Sequence, residues 1–120
     1  MITKQQQEFI KGSKFGVLAT CKDNKPRSCV AIVEGVDTQH VIFADVQMNA
    51  TRDNLKSNPN VHVYFCDSEM SKRVVGDGIA EYKTGGDQFE EIRDRLAGDN
   101  LNVRGIIKIK LSSISDIQEV

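Results

Sequence analysis

The chain has 120 residues, 39% of them hydrophobic and 28% charged, with 16 basic and 17 acidic side chains for a formal charge of -1. That length fits one domain able to bury roughly 65% of the surface its unfolded form exposes. The balanced charge argues against bulk binding to DNA or RNA, which needs a net basic face. No apolar run approaches the roughly 18 residues that span a bilayer, so neither nucleic acid nor membrane is expected as a partner.

The N-terminal MITKQQQEFIKGSK lacks the apolar core of a secretory signal, and Cys21, Cys29 and Cys66 form no C-x-x-C pair. Free, mostly buried thiols in a reducing cytoplasm are the expectation. Thr3 and Gln6 match a capping box ahead of Phe9 and Ile10, which predicts a short helix ending near Gly12. KFGVLATCK reads as a strand and Asp23-Asn24-Lys25-Pro26 as a turn. RSCVAIVE is the second strand, and Gly35 to Thr38 turn the chain into HVIFAD. Such short links predict an antiparallel meander, because parallel neighbours need longer crossovers.

From Asn49 to Asn58 the pattern changes to a short helix, with Asn49 as its cap, Leu55 as its apolar contact and Asn58-Pro59 as its stop. VHVYFCD and SKRVVGDGIAEY are strands four and five. Gly76 and Gly78 inside the fifth predict a bulge or a close backbone approach. GGDQFEEIRDRLAGDN is the clearest helix: Asp87 and Glu90 form a cap-like pair, Phe89, Ile92 and Leu96 share a face, and Gly98 closes it. In RGIIKIKLSSI, Ile107, Ile109 and Leu111 alternate with Lys108 and Lys110, as in a half-buried strand. Six strands with three helices, opening as a meander, predict a single mainly β (α+β) domain over residues 1–120, an antiparallel barrel with short flanking helices.

Most site chemistry is absent from the sequence. There is no G-x-S-x-G elbow, no G-x-x-x-x-G-K and no G-x-G-x-x-G opening a helix. His40 and His62 lack a second histidine at helical spacing, so no zinc site is expected. Glu90 and Glu91 fit a solvated helix face. What remains is the strand-to-helix junction at MNATRDNL. Its free N–H groups and helix dipole, with Asn49, Thr51 and Arg52, suit either a plain helix cap or an anion cradle.

Taken in order, FGVLATCKDNKPRSCVAIV, VIFADVQMNATRDNLKSNPNVHVYF, KRVVGDGIAEY, the GGDQFEEI helix and RGIIKIKLSSI resemble the FMN-binding split-barrel family. That family includes pyridoxamine 5'-phosphate oxidase and small FMN-binding proteins of similar length. The resemblance implies a six-stranded antiparallel split β-barrel and a homodimer with FMN at its interface. The implied function is that of an oxidoreductase or electron carrier. It further implies that Ser28, Cys29, Val30, Ala31 and Ile32 line the flavin, and that Asp45, Asn49, Ala50, Thr51 and Arg52 hold its phosphate. Arg73 would approach the cofactor, and the partner would add groups near Asn102 and Arg104. No catalytic residue is implied.

The departures are specific. Asn49-Ala50-Thr51 replaces the serine followed by a cation that often opens the family's helix. Cys29 stands where the oxidase has a basic ligand, and the aromatics that cover the flavin are missing. A cofactor-free structural or regulatory dimer is therefore the alternative.

Overall fold

The computed structural model describes all 120 residues. α1 (Lys4–Ser13) is capped as expected: Thr3 Oγ1 accepts the Gln6 N–H at 3.1 Å, and Gln6 Oε1 accepts the Thr3 N–H at 2.8 Å. β1 (Phe15–Lys22) and β2 (Lys25–Val36) are joined by only two residues, Asp23 and Asn24, at φ 52° and 61°. Two positive φ values give a turn whose twist matches that of the strands it joins. The turn is thus shorter than predicted, and Lys25 and Pro26 already belong to β2, opposite Lys22 and Cys21.

β2 also outruns its predicted end. Val33 faces Phe43 and Gly35 faces Ile42, so Glu34 is the extra residue of a bulge and the ladder continues to Val36. β3 (His40–Asp45), α2 (Asn49–Ser57), β4 (Asn60–Cys66), β5 (Lys72–Lys83), α3 (Asp87–Ala97) and β6 (Gly105–Ile114) follow. A two-residue β7 (Gln118–Glu119), too short to have a periodicity, pairs with Lys72 and Arg73. The strand order β4-β1-β2-β3-β6-β5 is closed by β4–β5 pairing into a six-stranded antiparallel barrel with three flanking helices.

Alternation fills this barrel. Leu18, Ala31, Val41, Phe43, Val63, Phe65, Ile107 and Ile109 point inward, and Ile10 of α1 and Leu55 of α2 join them. β3 is buried on both faces because α3 lies on its outside: Ile42, Ala44 and Ile106 pack against Phe89, Ile92 and Leu96. Fully burying a leucine or phenylalanine contributes about 1.5–3 kcal/mol, so these contacts hold all three helices to the barrel. No helix is long and apolar enough to cross a membrane. The three cysteines are free but only half-buried, less covered than expected.

Two helix starts differ from the expected ones. Met48, not Asn49, holds the cap position of α2, and α3 starts from Gly86 at φ 96° with Asp87 and Glu90 inside its first turn. Neither cap residue bonds the helix start with its own side chain. The two acids of α3 instead favour the positive end of its dipole.

Gly78 sits at a register shift of β5, where a Cβ would lie 2.5 Å from the Lys110 carbonyl oxygen. That neighbour is backbone and cannot swing aside. Gly78→Ala should therefore destabilise the barrel by about 1–3 kcal/mol, the usual range for overpacking, as read by urea unfolding.

Candidate functional site

β3 ends in Asp45, whose side chain is fully buried. A buried carboxylate needs partners, and it has three. Its Oδ1 accepts the Met48 N–H at 2.8 Å, while its Oδ2 accepts the Tyr82 hydroxyl and lies 3.5 Å from Arg52 Nη1. The Asp45 carbonyl accepts the Arg104 N–H at 2.8 Å. Tyr82 fits there only because Gly105 has no side chain, since a Cβ would stand 2.5 Å from its ring. Burial, and then the Asp45 carboxylate, raise the Tyr82 phenol above its ordinary pKa, so it stays the donor.

With the Met48 N–H taken, those of Asn49, Ala50 and Thr51 remain at the open end of α2. Arg52 Nη2 donates to Asn49 Oδ1 at 2.6 Å, and Arg104 Nη1 donates to the same oxygen at 3.3 Å. Two guanidinium groups thus meet at the positive end of a helix dipole. Beneath, Asn54 Nδ2 donates to Thr20 Oγ1 at 3.0 Å, and Thr51 Oγ1 lies 3.4 Å from Cys29 Sγ.

Beside this junction lies a cleft of about 370 Å³. Of the residues predicted from the sequence, Ser28, Cys29, Val30, Ala31, Ile32, Asn49, Ala50 and Thr51 line it. Asp45, Arg52 and Arg104 stand around the Asn49 end without lining it. Asn102 is exposed and outside the lining. Arg73 is also outside it, on β5 opposite Cys66, with its guanidinium 6.0 Å from the centre of the Tyr64 ring. His40 and His62 bind Asp37 and Asp77 at 3.1 and 2.9 Å, away from the cleft.

Several lining residues were not foreseen, among them Arg27, Val46, Gln47, Leu96, Leu101 and Glu34. Glu34 had one local signal, an acid beside a glycine at the end of an apolar run. Its side chain is buried and lies 3.2 Å from Arg95 Nη2. Burial raises its carboxyl above the ordinary range, with Arg95 pulling it back.

On the same outer face, Phe15 is directly opposite Ile32 and Val17 opposite Val30, and all four are exposed. The cleft therefore runs into a bare apolar patch.

The profile described as pyridoxamine 5'-phosphate oxidase matches residues 2–117. The chain belongs to this family of FMN-binding split barrels. No curated protein sequence matches it significantly. Among solved structures of the split-barrel type, HupZ of Group A Streptococcus superposes with a TM-score of 0.83 at 22% identity, over 95% of this chain and 92% of that one. General Stress Protein 26 of Bacillus anthracis gives 0.72 at 19%, over 94% of each chain. An FAD-binding protein of Mesorhizobium loti gives 0.73 at 18%, over 98% of this chain and 95% of that one. At these identities the likeness is one of fold.

The split-barrel junction depends on Asp45 keeping its donors. Tyr82→Phe removes one from a buried charge and should lower stability by about 1.5–3 kcal/mol in chemical denaturation. Asp45→Ala strands three donors at once and should lower it further.

Proposed function

We propose that the protein is an FMN-binding flavoprotein, an oxidoreductase or electron carrier, with the flavin held where two copies of the chain meet. The observation that carries this reading is the Asn49 junction, where unpaired helix N–H groups and the guanidinium groups of Arg52 and Arg104 gather beside an apolar strand. A phosphate suits that junction, since oriented N–H donors, the helix dipole and two cations all favour a dianion. A planar ring suits the wall made by Val30, Ala31 and Ile32. Bound flavin supplies the hydride or electron chemistry. The chain's own part is to anchor the anion at Asn49–Thr51, orient the ring on β2 and keep water away.

The homodimer is supported by the bare patch. A cleft of about 370 Å³ is at the small end for ligand sites, which run to roughly 1,000 Å³, and its β2 wall is open at Val30, 68% exposed. Contiguous exposed apolar surface marks an interaction site, and a second copy over Phe15, Val17, Val30 and Ile32 would close the cleft. Arg73 borders this face through Tyr64, which pairs with Val17, and its Nε is buried with no acceptor in its own chain. Arg73 then approaches a flavin held at this interface. The cofactor-free alternative drew on a missing cation at the helix entrance. Arg52 and Arg104 both reach that entrance, which weakens it.

Added FMN should turn the purified protein yellow and raise its thermal stability, by about 2.7 kcal/mol at a hundredfold excess over Kd. Colourless protein with an unmoved melting curve at saturating FMN overturns the reading. Arg104→Ala leaves the side chains around Asp45 alone and should weaken FMN roughly tenfold to a hundredfold, with riboflavin unchanged. Val30→Asp should yield a monomer by light scattering that no longer retains flavin.

A further inference from the structure

The cleft lining holds a buried acid, Glu34, that the Asn49 junction leaves unexplained. Glu34 is the extra residue of the β2 bulge, and a bulge re-aims the side chain it carries. Here the bulge directs an acid onto a wall otherwise made by Ile32, Ala44 and Leu96. The Glu34 side chain is 4% exposed, and Arg95 of α3 is its ionic partner at 3.2 Å. No hydrogen bond from the chain reaches its carboxylate oxygens. Those oxygens are not sealed from the cleft, since Arg73 Nε is the one buried side-chain nitrogen or oxygen left without a partner, so a ligand there can donate to them. Arg95 also faces Glu91, through Nε at 3.6 Å.

We propose that Glu34 is the specificity-determining residue of the cleft, accepting a hydrogen bond from an N–H donor on a ligand whose opposite end is anionic. The cleft is then cationic at Asn49, apolar along Val30 and Ile32, and anionic at Glu34. A ligand with an anion, a planar apolar middle and a ring N–H satisfies all three stretches at once. The proposal deepens the flavin reading and rests on it for its probe, because FMN carries a phosphate at one end and a single ring N–H, at N3, near the other. A site built to bind a donor rejects the analogue lacking it, because its own buried group is then left unpaired.

The test is a fluorescence titration of the full chain with FMN and with 3-methyl-FMN, which keeps the phosphate and ring and loses the donor. It is run at pH 8, well above the ordinary carboxylate range, because burial raises the Glu34 carboxyl, with Arg95 lowering it and Glu91 and Asp99 raising it further. The wild-type chain should prefer FMN by roughly tenfold to a hundredfold. Glu34→Gln should shrink that preference and Glu34→Leu should abolish it. Arg95→Met breaks the same ion pair but leaves the acceptor in place, and it should keep the preference. If Glu34 only ties α3 to β2, Arg95→Met and Glu34→Gln will lower the melting temperature alike and leave the preference intact. Equal binding of the two flavins by the wild-type chain, or a preference surviving in Glu34→Leu, overturns this proposal alone. Binding of neither flavin overturns the flavin reading and this proposal together.

Discussion

A single buried carboxylate organises the functional end of this barrel. Removing an ion from water carries an effective penalty of several kcal/mol, so the partners of Asp45 are obligatory rather than optional. They come from separate parts of the chain: Met48 at the entrance of α2, Arg52 within it, and Tyr82 on β5. The backbone of Asp45 adds Arg104 from the segment before β6. Because Asp45 caps α2 from the end of β3, the Asn49 side chain is freed from capping. Its oxygen gathers the two guanidinium groups instead. The position of the helix entrance, the direction of its free N–H groups and the local positive charge all follow from that one placement.

The barrel was legible because each strand has one face in a full core, so period-two alternation survives in β1, β4 and the middle of β6, from Ile107 to Ser112. The capping box at Thr3 was legible because it is local, with donor and acceptor three residues apart. What stayed hidden depends on distant partners. Asn49 is a strong cap by residue type, yet Asp45 had already taken the N–H that opens the helix. Glu34 resembled a strand end because a charge closing an apolar run usually is one; only the pairing with β3 shows a bulge. Arg52 stands one residue beyond the place of the family's usual cation, a shift that turns a helical side chain by about 100°. Its long side chain folds back over the helix start all the same. Leu96 and Leu101 carry no local mark at all, since a leucine beside a cleft reads like any other core leucine.

Where a ligand can lie is decided by packing before chemistry. The barrel interior is filled by a cluster of 13 buried residues, so nothing of cofactor size enters it. On the outside, α3 covers β3 and β6 through Phe89, Ile92 and Leu96. β1 and β2 are left bare, and they carry the exposed pairs Phe15–Ile32 and Val17–Val30. Val30 and Ile32 belong to the patch and to the cleft wall together. In the proposed assembly, flavin and the second copy therefore share the same two side chains. Each adds apolar contact for the other and removes water from it. Linkage makes such coupling reciprocal: whatever factor flavin adds to dimer affinity, the dimer adds to flavin affinity. Dilution of the protein then weakens flavin binding even though no residue has changed. In that assembly a side chain at Val30 acts on association and on ligand affinity at once, whereas Arg104, bonded to Asn49 at the helix entrance, acts on the anion.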